Sequence, residues 1–373
     1  MRQGDAVSAP QNEESRFLDY HGQFRLMRKI AVGGMATVYE AELLGPAGFA
    51  KRTALKVIHP QYAKQKQWLQ LFIDEAKLSA NLMHGNIVQI YQLGEVEGEY
   101  FIAMEFIQGP TLRSVIDRHW EIGQRIPSHL AAYVASRVCR ALDFAHNFVG
   151  PDKRRLDIVH RDVSPGNVMA SWDGHIKLAD FGIAKARTSI DPAAGRPMLM
   201  GKKHYMSPEQ ILGLSVDGRS DVFAVGLVLY ELLSLEPLFR EDVTQLAIDE
   251  VAVLPTPNIA KRIPGIDREL EQIITIALSK DPARRPTAAA MGHDLDRWCA
   301  AQGEVPSPDT LHEHLAKLFP TIYEPLTRHT DEQTSFSNLK KSARRGPGKG
   351  GKGGKGPGTN PPRGWLSRVL GRS

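Results

Sequence analysis

The chain of 373 residues has room for one large domain or two smaller ones, and its 42% hydrophobic and 24% charged content is that of a soluble globular protein. Two cysteines without metal-type spacing, Cys139 and Cys299, argue against a disulfide framework, and no run of about 18 apolar residues is present to span a membrane as a helix. The net charge of +5 belongs to one end: from Lys340 onward there are ten basic residues and no acidic one, which leaves residues 1–339 at about −5.

Residues 1–20 are polar, contain Pro10 and carry no apolar stretch of the signal-peptide kind, so a loose extension on a cytoplasmic chain is expected. Strand-like apolar stretches then predict an antiparallel meander over FRLMRKIAV, TVYEAELL and TALKVI, the first two joined at Gly33-Gly34. KQWLQLFIDEAKLSANLM has helical apolar spacing at Leu71, Phe72, Ala76, Leu78 and Leu82. More strands follow in IVQIYQLGEVEGEYFIAMEFI, with Gly94 and Gly98 read as turns. After Gly109-Pro110 the texture becomes helical, in LAAYVASRVCRALDFAHNF, DVFAVGLVLYELLS and LEQIITIALS, with a further helix expected at 308–318. Strands first and helices second predict an α+β arrangement. The Gly/Pro/Lys-rich end, RRGPGKGGKGGKGPGTNPP, cannot bury enough surface to fold and is expected to be disordered.

The chemistry concentrates in VHRDVSPGNVM at 159–169 and LADFG at 178–182. Phosphoryl transfer from ATP needs hard oxygen ligands for magnesium and a carboxylate to orient the attacking hydroxyl. Asn167 and Asp180 have the ligand chemistry, and Asp162 is the carboxylate that would take the hydroxyl proton.

These motifs, in this order over about residues 24–300, resemble the signature set of the protein-kinase family. The resemblance implies a bilobal kinase-like fold: an antiparallel-sheet N-lobe with one helix at 21–105, a hinge at 105–109 and a helical C-lobe at 110–300. A helical extension would occupy 301–330 and a disordered basic tail 331–373. It implies ATP and protein substrates, with magnesium, or manganese in its place. Lys56 would grip the phosphates and Glu75 would pair with Lys56. Ile30, Ala31, Val32, Gly33 and Gly34 would cover the phosphates. The backbones of Glu105 and Ile107 would read the adenine edge beside Met104, in a slot lined by Val38, Ala54, Met169 and Ala179. Ser207-Pro208-Glu209, Arg285 and Asp221 match the family's scaffold positions.

Departures from the family pattern are specific. Ala31 and Ala36 replace two of the three loop glycines, which predicts weaker ATP binding. Ser164 stands where serine/threonine kinases carry lysine, and Lys202 where they carry threonine, so Lys202 is expected to supply the missing catalytic charge. Arg161 beside Asp162 implies control by phosphorylation at Thr188 or Ser189. HRDVSPxN, GKxxYMSPEQ and the LLGPAGFAKRTALK insertion resemble soluble kinases of predatory and gliding bacteria. Against a scaffold without turnover stands the complete set of Lys56, Glu75, Asp162, Asn167 and Asp180; against a small-molecule phosphotransferase stands the S-P-E platform with Asp221 and Arg285. The basic tail is expected to meet nucleic acid, anionic lipid or an acidic partner, if any.

Overall fold

Five strands build the first layer of the molecule. Strands β1 (Phe24–Val32), β2 (Ala36–Leu44) and β3 (Ala50–Ile58) run antiparallel, and β4 (Ile90–Val96) and β5 (Glu99–Glu105) complete a sheet of order β1-β2-β3-β5-β4. The computed structural model describes residues 23–96, 98–181, 203–239, 257–303 and 305–320. Two compact units divide the chain, 1–323 and 324–373, and every described residue lies in the first. The extension at 1–20, residues Thr188, Ser189 and Lys202, and the basic stretch 331–373 lie outside the described residues.

Alternation along β3 decides where Lys56 points. Leu55 and Val57 join Phe24, Ala41, Phe101 and Ala103 in an apolar cluster on one face. Ile58, two residues after Lys56, joins Phe72, Ala76 and Ile102 on the other, where helix α2 (Lys66–Ser79) packs. A short turn, α1 (Pro60–Ala63), leads into it. The buried residues of α2 are Leu71, Phe72, Glu75, Ala76 and Ser79, one helical face that carries Glu75 toward the sheet.

The sequence expectation differs from the structure in three places here. Helix α2 stops at Ser79 rather than continuing to Met83, and Leu82 leaves it to enter the core of the helical lobe. Ile87 and Val88 lie before β4 and bridge to the second lobe instead, where Leu178 donates its N–H to Asn86 and accepts that of Val88. Gly94 is inside β4 and not a turn: a Cβ there would meet the Phe101 ring at 2.1 Å, so only glycine lets the aromatic lie flat across the strand.

The helical lobe comprises α3 (Leu112–Ile122), α4 (Ser128–His146), α5 (Pro208–Ile211), α6 (Gly218–Ser234), α7 (Ile259–Arg262), α8 (Arg268–Ala277) and α9 (Ala288–Ala301), with the hairpin β6 (Val168–Ala170) and β7 (Ile176–Leu178). Residues 220–233 of α6 are all buried, so this helix is the axis of the lobe. Asp217 caps its N-terminus through the N–H of Arg219, and Asp221 sits in the first turn, where the helix dipole favours an anion. The expected helix at 308–318 is α10 (Pro308–Leu318), opened by a capping box between Ser307 and Thr310.

Candidate active site

Three residues far apart in sequence converge on one ion cluster. Lys56 Nζ lies 2.9 Å from Glu75 Oε1 and 2.8 Å from Asp180 Oδ1. Burial works against the ammonium, but the carboxylates of Asp180 and Glu75 outweigh it and hold the lysine's pKa above its ordinary value. Asp180 is more open, with 41% of its side chain exposed. The cluster faces a recess lined by Ser79, Ile102, Met104, Ala179 and Phe181 among others. Of the four residues expected to line an adenine slot, Ala179 borders this recess; Val38, Ala54 and Met169 do not. Ala54 is instead buried in β3 directly opposite Met104, and Val38 lies opposite Lys56 in β2.

A second group forms on the loop before β6. Asn167 Nδ2 donates to Asp162 Oδ2 at 2.9 Å and to the Asp162 carbonyl at 2.8 Å. The Asn167 carbonyl in turn accepts the Ala179 N–H at 2.8 Å, which ties this loop to the residue before Asp180. Both Asp180 and Arg161 adopt left-handed backbone, with φ of 56° and 66°. Such conformations cost a non-glycine residue about 1–2 kcal/mol and need surrounding contacts to hold them.

For Arg161, Asp221 provides much of that hold. Its Oδ1 accepts the Arg161 N–H and its Oδ2 the His160 N–H, both at 2.8 Å, and His146 Nε2 lies 2.8 Å from Oδ2. The expected scaffold ion pair is also present: Arg285 contacts both oxygens of Glu209 at 2.6 and 2.8 Å, with both side chains buried.

Sequence reasoning missed two contributors. His160 is buried; burial lowers its pKa, against the opposing pull of Asp221 and Asp162. As a neutral ring it donates from Nε2 to the Ala179 carbonyl and accepts the Asp162 N–H at Nδ1, at 3.0 and 3.2 Å. The HRD spelling carried this signal. Glu105 was assigned through its backbone alone, yet its carboxylate meets Lys177 Nζ at 2.8 Å and accepts the Gln89 N–H at 3.2 Å. Nothing in local sequence pairs Lys177 with Glu105.

The segment after Glu105 lies tightly along β6. Ala170 donates its N–H to the Pro110 carbonyl and Trp172 to that of Gln108. A Cβ on Gly109 would meet the Ala170 carbonyl oxygen at 2.0 Å, so the crossing requires glycine. Ile107 is buried and Met169 half-buried in this region. At the other side of the site Ile30, Ala31 and Val32 end β1, with Val32 67% exposed, and Gly33 closes the turn by donating to the Ala36 carbonyl at 2.9 Å. Gly34 is exposed in the same turn, and a Cβ there would meet nothing within 4 Å. Ala36, at the place of a missing glycine, buries its methyl among Ile58, Phe72, Ala76 and Ile102.

The donor set suits magnesium bound with a nucleotide triphosphate. With the Asn167 nitrogen committed to Asp162, the amide oxygen is the atom left to meet a cation, and Asp180 adds a carboxylate. Among the described residues no cluster of three or more His, Cys, Asp or Glu gathers around a metal. Magnesium takes few protein ligands when phosphate oxygens supply the rest.

Known proteins are similar to this chain. A model of the protein kinase domain matches residues 24–295. Tyrosine-protein kinase MasK of Myxococcus xanthus is 37% identical over 285 residues, which cover 75% of this chain and 44% of that protein. Serine/threonine-protein kinases PrkC of Bacillus subtilis and PknB of Mycobacterium tuberculosis are 34% and 36% identical, covering 74% of this chain in each case. The chain spans less than half the length of these three relatives, 44%, 40% and 42% respectively. The kinase domain of Mycobacterium tuberculosis PknI superposes with a TM-score of 0.57 at 25% identity, over 74% of this chain and 96% of that one.

Proposed function

Because this chain belongs to the protein kinase family, we propose that it transfers the γ-phosphate of ATP to serine and threonine hydroxyls of protein substrates. The observation that carries this reading is Lys56 held between Glu75 and Asp180, a cation fixed where phosphates need one. Magnesium, or manganese in its place, supplies charge neutralisation on the phosphate oxygens when bound, through Asn167 and Asp180. Asp162 orients the acceptor hydroxyl and takes its proton, with its carboxylate aimed by Asn167. Ile30 to Gly34 cover the phosphates, Val38, Ala54 and Met169 flank the base, and the Glu105 and Ile107 backbones read its edge.

Lys202, outside the described residues, completes the site in this reading by supplying the charge that Ser164 lacks. Loss of turnover in Lys202→Ala is expected, and unchanged turnover would remove that role. Arg161 is half-buried, and burial outweighs the attraction of Asp221 for its guanidinium, so its pKa lies below the ordinary value. A phosphate on Thr188 or Ser189 suits a cation so incompletely compensated, and mass spectrometry of active protein tests it. The basic residues from Lys340 onward suit an anionic partner, whether nucleic acid, lipid or acidic protein, through binding that weakens steeply with salt and is lost on deleting 340–373. Among the described residues no helix is long and apolar enough to cross a membrane.

The decisive experiment follows label from ATP with magnesium into the protein and a generic acceptor, beside Asp162→Asn and Lys56→Met. Label on serine and threonine, absent from both variants, is the expected outcome. Label on tyrosine would move the acceptor class toward that named for MasK, and ATP binding without transfer would leave a scaffold.

A further inference from the structure

Arg161 immediately precedes Asp162, and its peptide is held from both sides. Its N–H donates to Asp221, while its carbonyl accepts a hydrogen bond from Gln210 Nε2 at 3.1 Å. Gln210 belongs to α5, the helix that carries Glu209 and is anchored through it to Arg285. The other half of the same amide faces its own helix start. Gln210 Oε1 accepts the Ser207 N–H at 3.0 Å and the Ser207 hydroxyl at 3.2 Å, and the Gln210 N–H reaches Ser207 Oγ at 3.4 Å.

A capping box asks only for an acceptor at this position, and glutamate serves as well as glutamine. The Arg161 carbonyl asks for a donor. An uncharged amide is the side chain of this length that answers both at once, and a carboxylate would set an anion against the carbonyl oxygen. We propose that Gln210 is a positioning residue for catalysis: it couples the S-P-E platform to the strained Arg161 peptide and so aims Asp162. The inference rests on the kinase reading above. It assigns to Gln210 a task beyond capping α5, and it makes the placement of the platform and the aim of the catalytic carboxylate one mechanical unit.

The test compares wild type, Gln210→Glu, Gln210→Met and Asp162→Asn for phosphate transfer, melting temperature and amide hydrogen exchange. Gln210→Glu keeps the cap and loses the donor; Gln210→Met, of similar length, loses both. Misplacement of a catalytic group by about 1 Å can cost about a hundredfold, so kcat should fall about tenfold or more in both variants. KM for ATP should stay within about twofold, since nothing in the Lys56 cluster is touched. Exchange should quicken in residues 160–167 and stay unchanged in α6 and α8. Gln210→Glu with wild-type kcat and wild-type exchange overturns the proposal and leaves Gln210 a cap. So does a loss of activity that only tracks a fall in melting temperature across both variants. If wild type transfers no phosphate, the proposed function has failed, and exchange at 160–167 by itself still decides the role of Gln210.

Discussion

Lys56 stays charged although β3 buries it, because two carboxylates meet it within 3 Å. Removing the ammonium therefore does two things at once: it deletes the proposed phosphate contact and strands Glu75, which is also buried. Lys56→Met should lower kcat/KM by about a hundredfold or more, on the scale seen when one preorganised electrostatic donor is lost. Glu75→Gln, which keeps a hydrogen-bond acceptor but not the charge, should fall between wild type and Lys56→Met in the same assay. His160 works in the opposite sense, as a group kept neutral. A ring protonated at Nδ1 would turn a donor toward the Asp162 N–H, so its use here as an acceptor depends on the depressed pKa.

Helices in this protein are tied to one another by buried polar pairs whose loss is costly. Burial pushes the Glu209 carboxyl up, but Arg285 and Ser220 outweigh it and hold it below its usual range. Breaking a buried pair from one side typically costs about 3–5 kcal/mol, so Arg285→Ala should show a loss of that order in chemical denaturation at neutral pH. Helix α10 is fastened differently. His314 Nε2 lies 2.9 Å from His119 Nε2 on α3, with the rings stacked. His119 Nδ1 donates to the Gln124 carbonyl, so in the neutral ring Nε2 is the acceptor and His314 the donor. Burial lowers both pKa values, that of His314 to about 4, with His119, His129 and Lys317 adding to the shift. A histidine whose folded pKa is depressed binds its proton more readily when released, so stability rises with pH between the two values. Attachment of α10 should therefore weaken as pH falls from about 6.5 toward 4, visible as lower protection of the 308–318 amides, relative to their intrinsic exchange rates, at pH 5 than at pH 7. His314→Asn should flatten that difference.

At the scale of the molecule, the sheet and the helical lobe meet through specific links. Leu178 of β7 bridges Asn86 and Val88, Leu82 enters the helical core, and Lys177 pairs with Glu105 at the end of β5. The last of these fixes the segment whose backbone is assigned to the adenine. Lys177→Met should raise KM for ATP about threefold to tenfold while changing kcat less than about twofold, because the half-buried pair holds the end of β5, where ATP is proposed to bind. Steady-state kinetics with varied ATP would measure both.

How much of this was legible beforehand follows from the range of each interaction. Apolar runs bounded by glycine turns and helical spacing are local, and they located β1, β2, α4, α6 and α10; the motif residues Lys56, Glu75, Asp162, Asn167 and Asp180 were proposed from chemistry and order along the chain. Sequence by itself thus determined the family and the division into sheet and helical lobes, and it named the residues proposed for the site. What only the tertiary structure decided were contacts between segments with no local signature. Lys56 reaches Asp180 across 124 positions, Glu105 finds Lys177 across 72, and the amide of Gln210 turns to Arg161 across 49. Gly94 looked like a turn because a glycine's need for space is set by the residue opposite, here Phe101, and that neighbour exists only once the strands have paired.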